Sequence, residues 1–199
     1  MNNESICASK NAQDKVQLHL GCGKKYIPGF IHIDIDTFPH VDYQSEVSKL
    51  PMFADNSVDL IYCCHTFEYF DRFQAPDILK EWRRVLKPGG ILRLAVPDFE
   101  NITKVYLKYG DLDHQGILGP LYGRIEIETA DGKKTLYHRT TYDFNSLRKV
   151  LETAGFSKVE RYDWKKTIHK DYDDFSQAYI PHMDKENGIL ISLNVEATK

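Results

Sequence analysis

The chain is poor in cysteine, with four in 199 residues, and no two are spaced as C-x-x-C. Cys7 lies in a polar stretch, Cys22 in a glycine turn, and Cys63 and Cys64 side by side in an apolar run. A disulfide framework is excluded, and the usual spacing of a zinc site or redox dithiol is missing, so no metal is expected. Adjacent Cys63 and Cys64 point to opposite faces of a strand and read as small core residues. Excess positive charge is also missing. The formal net charge is −3, whereas a general nucleic-acid binder is usually basic. Lys165, Lys166, His169 and Lys170 form a small basic group, but Asp163, Asp171, Asp173 and Asp174 surround it, and the stretch reads as a solvated mixed-charge face. No run approaches the roughly 20 apolar residues of a membrane span. Met1–Ser5 has neither the basic nor the apolar region of a signal peptide. The expectation is a cytoplasmic protein with no membrane and no nucleic-acid partner. There is no G-x-G-x-x-G, no internal repeat and no low-complexity segment.

What is present is a globular composition, 42% hydrophobic and 12% aromatic, in a length suited to one domain. Residues 1–199 are read as one unit with a frayed polar tail over 1–14. Val16–Leu20 and Phe30–Ile35 read as strands. Between them Gly21-Cys22-Gly23 forms a turn, and Lys24–Gly29, with Pro28-Gly29 as a turn signal, is too short for a crossover helix. A short third strand is expected within 40–47. Val58–Cys64 is a nearly continuous apolar run of the kind buried on both sheet faces.

A helix is predicted over Gln74–Leu86, where Ile78, Leu79, Trp82, Val85 and Leu86 make one apolar stripe, Pro76 sits in the first turn and Pro88-Gly89-Gly90 follows. Ile91–Val96 is the next strand, ending at Pro97-Asp98. Ile102, Val105, Tyr106 and Tyr109 have helical spacing. Residues 111–138 change character: Arg124–Thr129 alternates with period two, Asp131-Gly132 signals a turn and Lys133–His138 returns, an inserted hairpin or lid. A helix over Asp143–Ala154, stopped by Gly155, precedes strands at Phe156–Tyr162 and Ile189–Val195, the last antiparallel. The fold class is therefore α/β, a three-layer, mostly parallel sheet with an antiparallel last strand.

Ligands of such sheets bind beyond the carboxyl ends of the strands, near the point where strand order reverses. The residues falling there are Gly21–Gly23, Asp34 and Asp36, His65–Tyr69, and Pro97-Asp98. Glycine lets backbone come close to a ligand, and an acid at a strand end can accept hydrogen bonds from a ribose diol. A nucleoside cofactor is the reading. A nicotinamide oxidoreductase fits poorly, because the acid follows Gly23 too closely for the usual unit of about 30 residues.

At this point the sequence resembles the S-adenosylmethionine-dependent methyltransferases of the Rossmann-like, seven-stranded type. The likeness rests on Leu18-His19-Leu20-Gly21-Cys22-Gly23, Asp34, Leu50-Pro51 with Asp55-Asn56-Ser57-Val58-Asp59, and His65-Thr66-Phe67-Glu68. It continues through Glu81–Gly90 and Glu152–Phe156, so that it covers residues 16–163. More narrowly the chain looks like small bacterial methyltransferases with a shortened first crossover, some associated with surface-polysaccharide synthesis. The resemblance implies S-adenosyl-L-methionine as cofactor, with Gly21, Cys22 and Gly23 at its methionine end, Asp34 on the ribose, Glu46 near the adenine and His65 beside the sulfonium. Two departures stand out: His19 replaces the acid common in the first strand, and Lys25 a common third glycine.

A hydroxyl acceptor needs a base. Candidates at the right edge of the sheet are His65, Asp98 and His138, with backbone bonding, helix capping and an ordinary hairpin position as their respective alternatives. The expected activity is methyl transfer to a small-molecule or saccharide-type acceptor, through a hydroxyl. A cofactor-binding sensor or assembly partner without turnover is the competing reading. Acceptor specificity is expected in 111–142 and 164–188, the loops over the strand ends.

Overall fold

The computed structural model describes residues 15–113, 116–129 and 132–199; the expected tail over 1–14, Cys7 and Asp131 lie outside these. The central sheet has seven strands: β1 (Gln17–Leu20), β2 (Ile31–Asp34), β3 (Tyr43–Gln44), β4 (Val58–Cys64), β5 (Leu86–Pro97), β8 (Ser157–Arg161) and β11 (Ser192–Thr198). Their order is β3-β2-β1-β4-β5-β11-β8. β11 runs antiparallel to both its neighbours, and the other pairings are parallel. Strand order reverses between β1 and β4, so the turns after these two strands open into one crevice.

Alternation along the strands creates two unlike faces. Leu18, Leu20, Ile33, Ile61, Cys63, Leu92, Leu94, Val96, Leu193 and Val195 point to one face and pack with α1 (Ala75–Val85) and α4 (Phe144–Thr153). The apolar stripe of α1 lands there: Ile78, Leu79, Trp82 and Val85 are buried. Asp143 caps α4 by accepting from the Ser146 amide at 2.7 Å, and Gly155 (φ +88°) follows its end. Both helices thus match the sequence reading closely.

The opposite face carries His19, His32, Tyr62 and, farther along, the Arg93–Glu196 ion pair at 2.6 Å. Among the described residues it is covered by the 21–30 connection, through Ile27 and Phe30, and by the 164–177 stretch. That stretch holds only 3-10 turns at Trp164–Lys166 and Phe175–Gln177. No helix occurs between β1 and β2, as the length of the connection required. His169 corrects the surface reading of its neighbourhood: it is fully buried and stacks on Tyr62 at 4.0 Å. Tyr62 stacks in turn against His19 at 5.2 Å, a row that replaces aliphatic packing on this face.

Three further differences bear on the site. β5 begins directly after α1: Leu86 pairs with Val58 and Ile91 with Leu60, so Lys87–Gly90 bulges within the strand. The predicted strand 189–195 is broken at Ile191. β10 (Ile189–Leu190) pairs with β9 (Tyr179–Ile180), while Ile191 bonds the Ala178 carbonyl and the Asp98 amide, and β11 starts after it. A short helix α3 (Leu118–Tyr122) precedes the inserted hairpin, β6 (Ile125–Thr129) and β7 (Gly132–Leu136). α2 (Phe99–Tyr109) packs through Ile102 and Val105 onto Ile117, Ile180 and Ile191, in a small core separate from the sheet.

Candidate active site

Gly21 and Gly23 both take positive φ, +64° and +51°, yet for different reasons. The Gly21 amide donates to Ile33 O at 2.8 Å, and a Cβ on Gly21 would lie 2.2 Å from Thr66 Oγ1. Its glycine is demanded by the neighbouring turn. At Gly23 nothing lies within 4 Å of a Cβ position, and its amide donates to Asp34 Oδ2 at 2.7 Å. Here the bare backbone faces open space. Gly21→Ala is therefore expected to cost about 1–3 kcal/mol of stability by displacing Thr66. Gly23→Ala should lower stability by about 1 kcal/mol through backbone strain, and its main effect should fall on ligand binding. Thermal melts of both variants with and without S-adenosylhomocysteine check this division.

Asp34 is 8% exposed and accepts at both oxygens, from the Gly23 amide and from the Asp36 amide at 2.9 Å. A carboxylate offers about four lone-pair positions, so a diol can still be accepted. Cys22 is buried with Sγ 3.8 Å from His40 Nε2, and burial pushes its thiol up to about 12, which leaves it unreactive. Glu46 is exposed on a loop that α1 holds in place. Trp82 Nε1 donates to Val47 O at 2.8 Å, the Leu50 amide donates to Glu81 at 2.8 Å, and Arg84 reaches the Leu50 and Phe53 carbonyls at 3.1 Å. Sequence motifs some 30 residues apart thus meet as a loop and its anchor.

After β4 the chain turns sharply at His65, a non-glycine residue at φ +50° whose amide donates to Ala95 O at 2.7 Å. Such backbone is costly and tends to persist where a site requires it. His65 Nδ1 lies 3.5 Å from Glu68 Oε1, and His138 Nε2 lies 3.6 Å from the same atom. Both carboxyl oxygens of Glu68 are buried without a hydrogen-bond partner, and burial raises its carboxyl to about 8. His138 follows β7, its Nδ1 3.0 Å from Pro120 O, and its ring meets that of Tyr69 in a T-shaped contact with centroids 4.7 Å apart. The Tyr69 hydroxyl donates to Gly123 O, and a Cβ on Gly123 would strike His138. The hairpin is thereby docked on the turn after β4.

These groups border one cavity of about 2290 Å³. Gly21, Cys22, Gly23, Asp34 and Glu46 line one part of it, and His65, Tyr69 and His138 line another beneath Ile125, Ile127 and Leu136 of the hairpin. Asp98 is the exception. It is fully buried off the cavity, accepts from the Asn101 amide at the start of α2 and pairs with Arg161 at 3.2 Å. The structure thus corrects its candidacy as a base: it caps a helix. Glu68 enters the sequence pattern only as the last residue of His65-Thr66-Phe67-Glu68, and an acid three residues beyond a strand-end histidine is the one signal for it.

Burial holds His19, His65 and His169 down to about 3. Each is neutral in the folded protein and takes up a proton in the unfolded chain below about 6.5. Their contribution is intact above that pH and is lost as pH falls toward 3. Glu68 acts oppositely: it keeps its proton in the folded protein while the unfolded chain ionises above about 4.5, so its contribution falls as pH rises from 4.5 to about 8. Urea midpoints measured across this range should peak between pH 6 and 7 and fall steeply on the acid side.

Residues 18–94 match a family described as a methyltransferase domain. Over 127 residues the chain is 29% identical to the demethylmenaquinone methyltransferase of Staphylococcus haemolyticus, which covers 58% of this chain and 47% of that protein. The chain spans about half the length of this curated relative. A methyltransferase structure from Archaeoglobus fulgidus superposes with a TM-score of 0.56 at 14% identity, covering 94% of this chain and 87% of that one. One from Methanosarcina mazei gives 0.52 at 18% identity, covering 94% and 93%. The chain shares the fold of these S-adenosylmethionine-dependent methyltransferases, and residues 18–94 carry its likeness to the methyltransferase domain. The residues present fit that cofactor: Gly23 presents bare backbone to open space, and Asp34 keeps acceptor capacity beside it.

Proposed function

We propose that this chain methylates a hydroxyl of a small-molecule acceptor bound beneath the β6–β7 hairpin. The reading is supported chiefly by one observation. A single cavity joins the Gly23–Asp34 cradle to a wall of buried imidazoles, and its volume exceeds the roughly 300–1,000 Å³ of ordinary ligand pockets. In this reading Gly23 and its neighbours hold the methionine end, Asp34 the ribose diol and Glu46 the adenine side. S-adenosylmethionine would supply an electrophilic sulfonium methyl, with the thioether of S-adenosylhomocysteine as its leaving group. The chain's own task is to align the two partners, exclude water and remove the hydroxyl proton.

The acceptor end is bordered by Ile125, Ile127, Leu136, Tyr137, Ile180 and Met183. That lining favours a hydroxyl carried on an apolar or aromatic body over a bare saccharide. The name of the Staphylococcus relative gives demethylmenaquinone as its substrate, an acceptor class in keeping with such a wall. Strands β6 and β7 then serve as a lid over a single catalytic unit. Calorimetry with S-adenosylhomocysteine tests the core of the reading. Micromolar binding is expected, and no heat at millimolar ligand would sink it. Transfer of labelled methyl from S-adenosylmethionine into the apolar small-molecule fraction of a cell extract tests the acceptor class; label only in the saccharide fraction would overturn that part.

A further inference from the structure

The tautomers of His65 and His138 are set by chains of hydrogen bonds that end at carbonyl groups. Asn194 Nδ2 donates to Ser176 O at 2.8 Å, so Asn194 Oδ1 is turned toward Ser192 and accepts its hydroxyl proton at 2.9 Å. The Ser192 oxygen is then left to accept from His65 Nε2 at 3.1 Å. With its proton on Nε2, neutral His65 presents a lone pair at Nδ1, the atom that faces Glu68. On the other side, Pro120 O can only accept, so His138 Nδ1 carries the proton and its lone pair is at Nε2, again facing Glu68.

An ionised Glu68 would confront two lone pairs in a site with no exposed surface. A neutral carboxylic acid removes that conflict and leaves the cluster with one proton beyond the two fixed ring N–H groups. The other titratable groups around it do not supply a cation: Tyr69 follows in the same turn, the Cys63 thiol lies on β4, and Tyr142 comes from the segment before α4. The Arg72 guanidinium sits over the Tyr142 ring at 4.2 Å, and among the described residues only the two histidines come within ion-pair range of Glu68.

We propose that Glu68 is the positioning residue of a one-proton cluster with His65 and His138. It keeps both imidazoles neutral while it is itself protonated, and once ionised it holds as imidazolium whichever of them receives the acceptor's hydroxyl proton. This rests on the methyl-transfer reading above. In the step, the acceptor O–H bond breaks and an imidazole N–H bond forms. The electron pair left on the acceptor oxygen forms the new bond to the methyl carbon as that carbon's bond to the sulfonium sulfur breaks, the sulfur keeping the pair and leaving as the neutral thioether, and the Glu68 carboxylate balances the new positive charge on the imidazole.

Long-range nitrogen–proton NMR on the labelled full chain tests the cluster without any acceptor. Near neutral pH, Nδ1 of His65 and Nε2 of His138 should both report as unprotonated, and both should shift together as pH is raised through about 8. Glu68→Gln should lose that common inflection. A proton on either of those nitrogens near neutral pH, or wild-type resonances that stay flat through the range, overturns the proposal. The wild-type spectrum decides alone if the variant does not fold. Labelled-methyl transfer by the wild type should rise toward a plateau above about pH 8. It should fall by about 100-fold in Glu68→Gln, with unchanged S-adenosylhomocysteine binding; undiminished transfer by that variant also overturns the proposal. Absence of S-adenosylhomocysteine binding by the wild type would sink the methyl-transfer reading while leaving the NMR titration intact, so the two failures are told apart.

Discussion

Asp34→Ala should weaken S-adenosylhomocysteine binding by at least about 100-fold, measured by calorimetry, while the protein stays folded. Hydrogen bonds to a charged group are each worth about 1.5–3 kcal/mol, and a ribose diol would make two of them with this carboxylate. The substitution also frees the Gly23 and Asp36 amides that Asp34 now accepts from, so the turn itself should loosen. Asp34→Asn separates the two effects. It keeps a side-chain oxygen for one amide but loses the charge and one acceptor, and about 10-fold weaker binding with a nearly unchanged melting temperature is expected. Unaltered affinity in Asp34→Ala would remove Asp34 from the cofactor site and leave it as a tie between β2 and the glycine turn.

Trp82→Ala is expected to have the largest effect on stability. The ring is fully buried between α1 and the sheet, 5.5 Å from Phe67, and its indole N–H is bonded to Val47 O. Removing a buried tryptophan costs about 3–5 kcal/mol, which for a chain of this size is a fall of about 10 °C in melting temperature. The loss should reach the cavity as well, because Glu46, Val47 and Ser48 line it and are held from this side. Trp82→Phe retains most of the volume and loses the bond, so about 1–2 kcal/mol is expected. A Trp82→Ala protein that melts like the wild type would show that the loop is held by Arg84 and Glu81 alone.

Read from the chain, the helix-covered half of this molecule is plain. Ile78, Leu79, Trp82 and Val85 repeat at helical spacing, Asp143 and Gly155 bracket α4, and the alternation of strand and helix implies the parallel sheet. These signals are local, and local geometry is what periodicity encodes. The tie between the glycine turn and Asp34 is legible for the same reason, since the turn and the next strand-end acid lie within a few residues of each other. The turn nevertheless divides: Gly21 answers to Thr66, and only Gly23 faces open space.

The other half was decided by tertiary structure. His169 belongs to a charged-looking stretch, yet it is buried against Tyr62, because the missing first helix leaves a sheet face that the 164–177 stretch must cover. Asp98 stands at a strand end like a catalytic acid, yet α2 and Arg161 claim it. Glu68 reads as one more polar residue until His65, in the turn after β4, and His138, just past β7 and about 70 residues along the chain, close on it. Whether a carboxyl keeps its proton depends on which groups surround it and how much water reaches it, and those are properties of the folded arrangement that spacing along the chain does not carry.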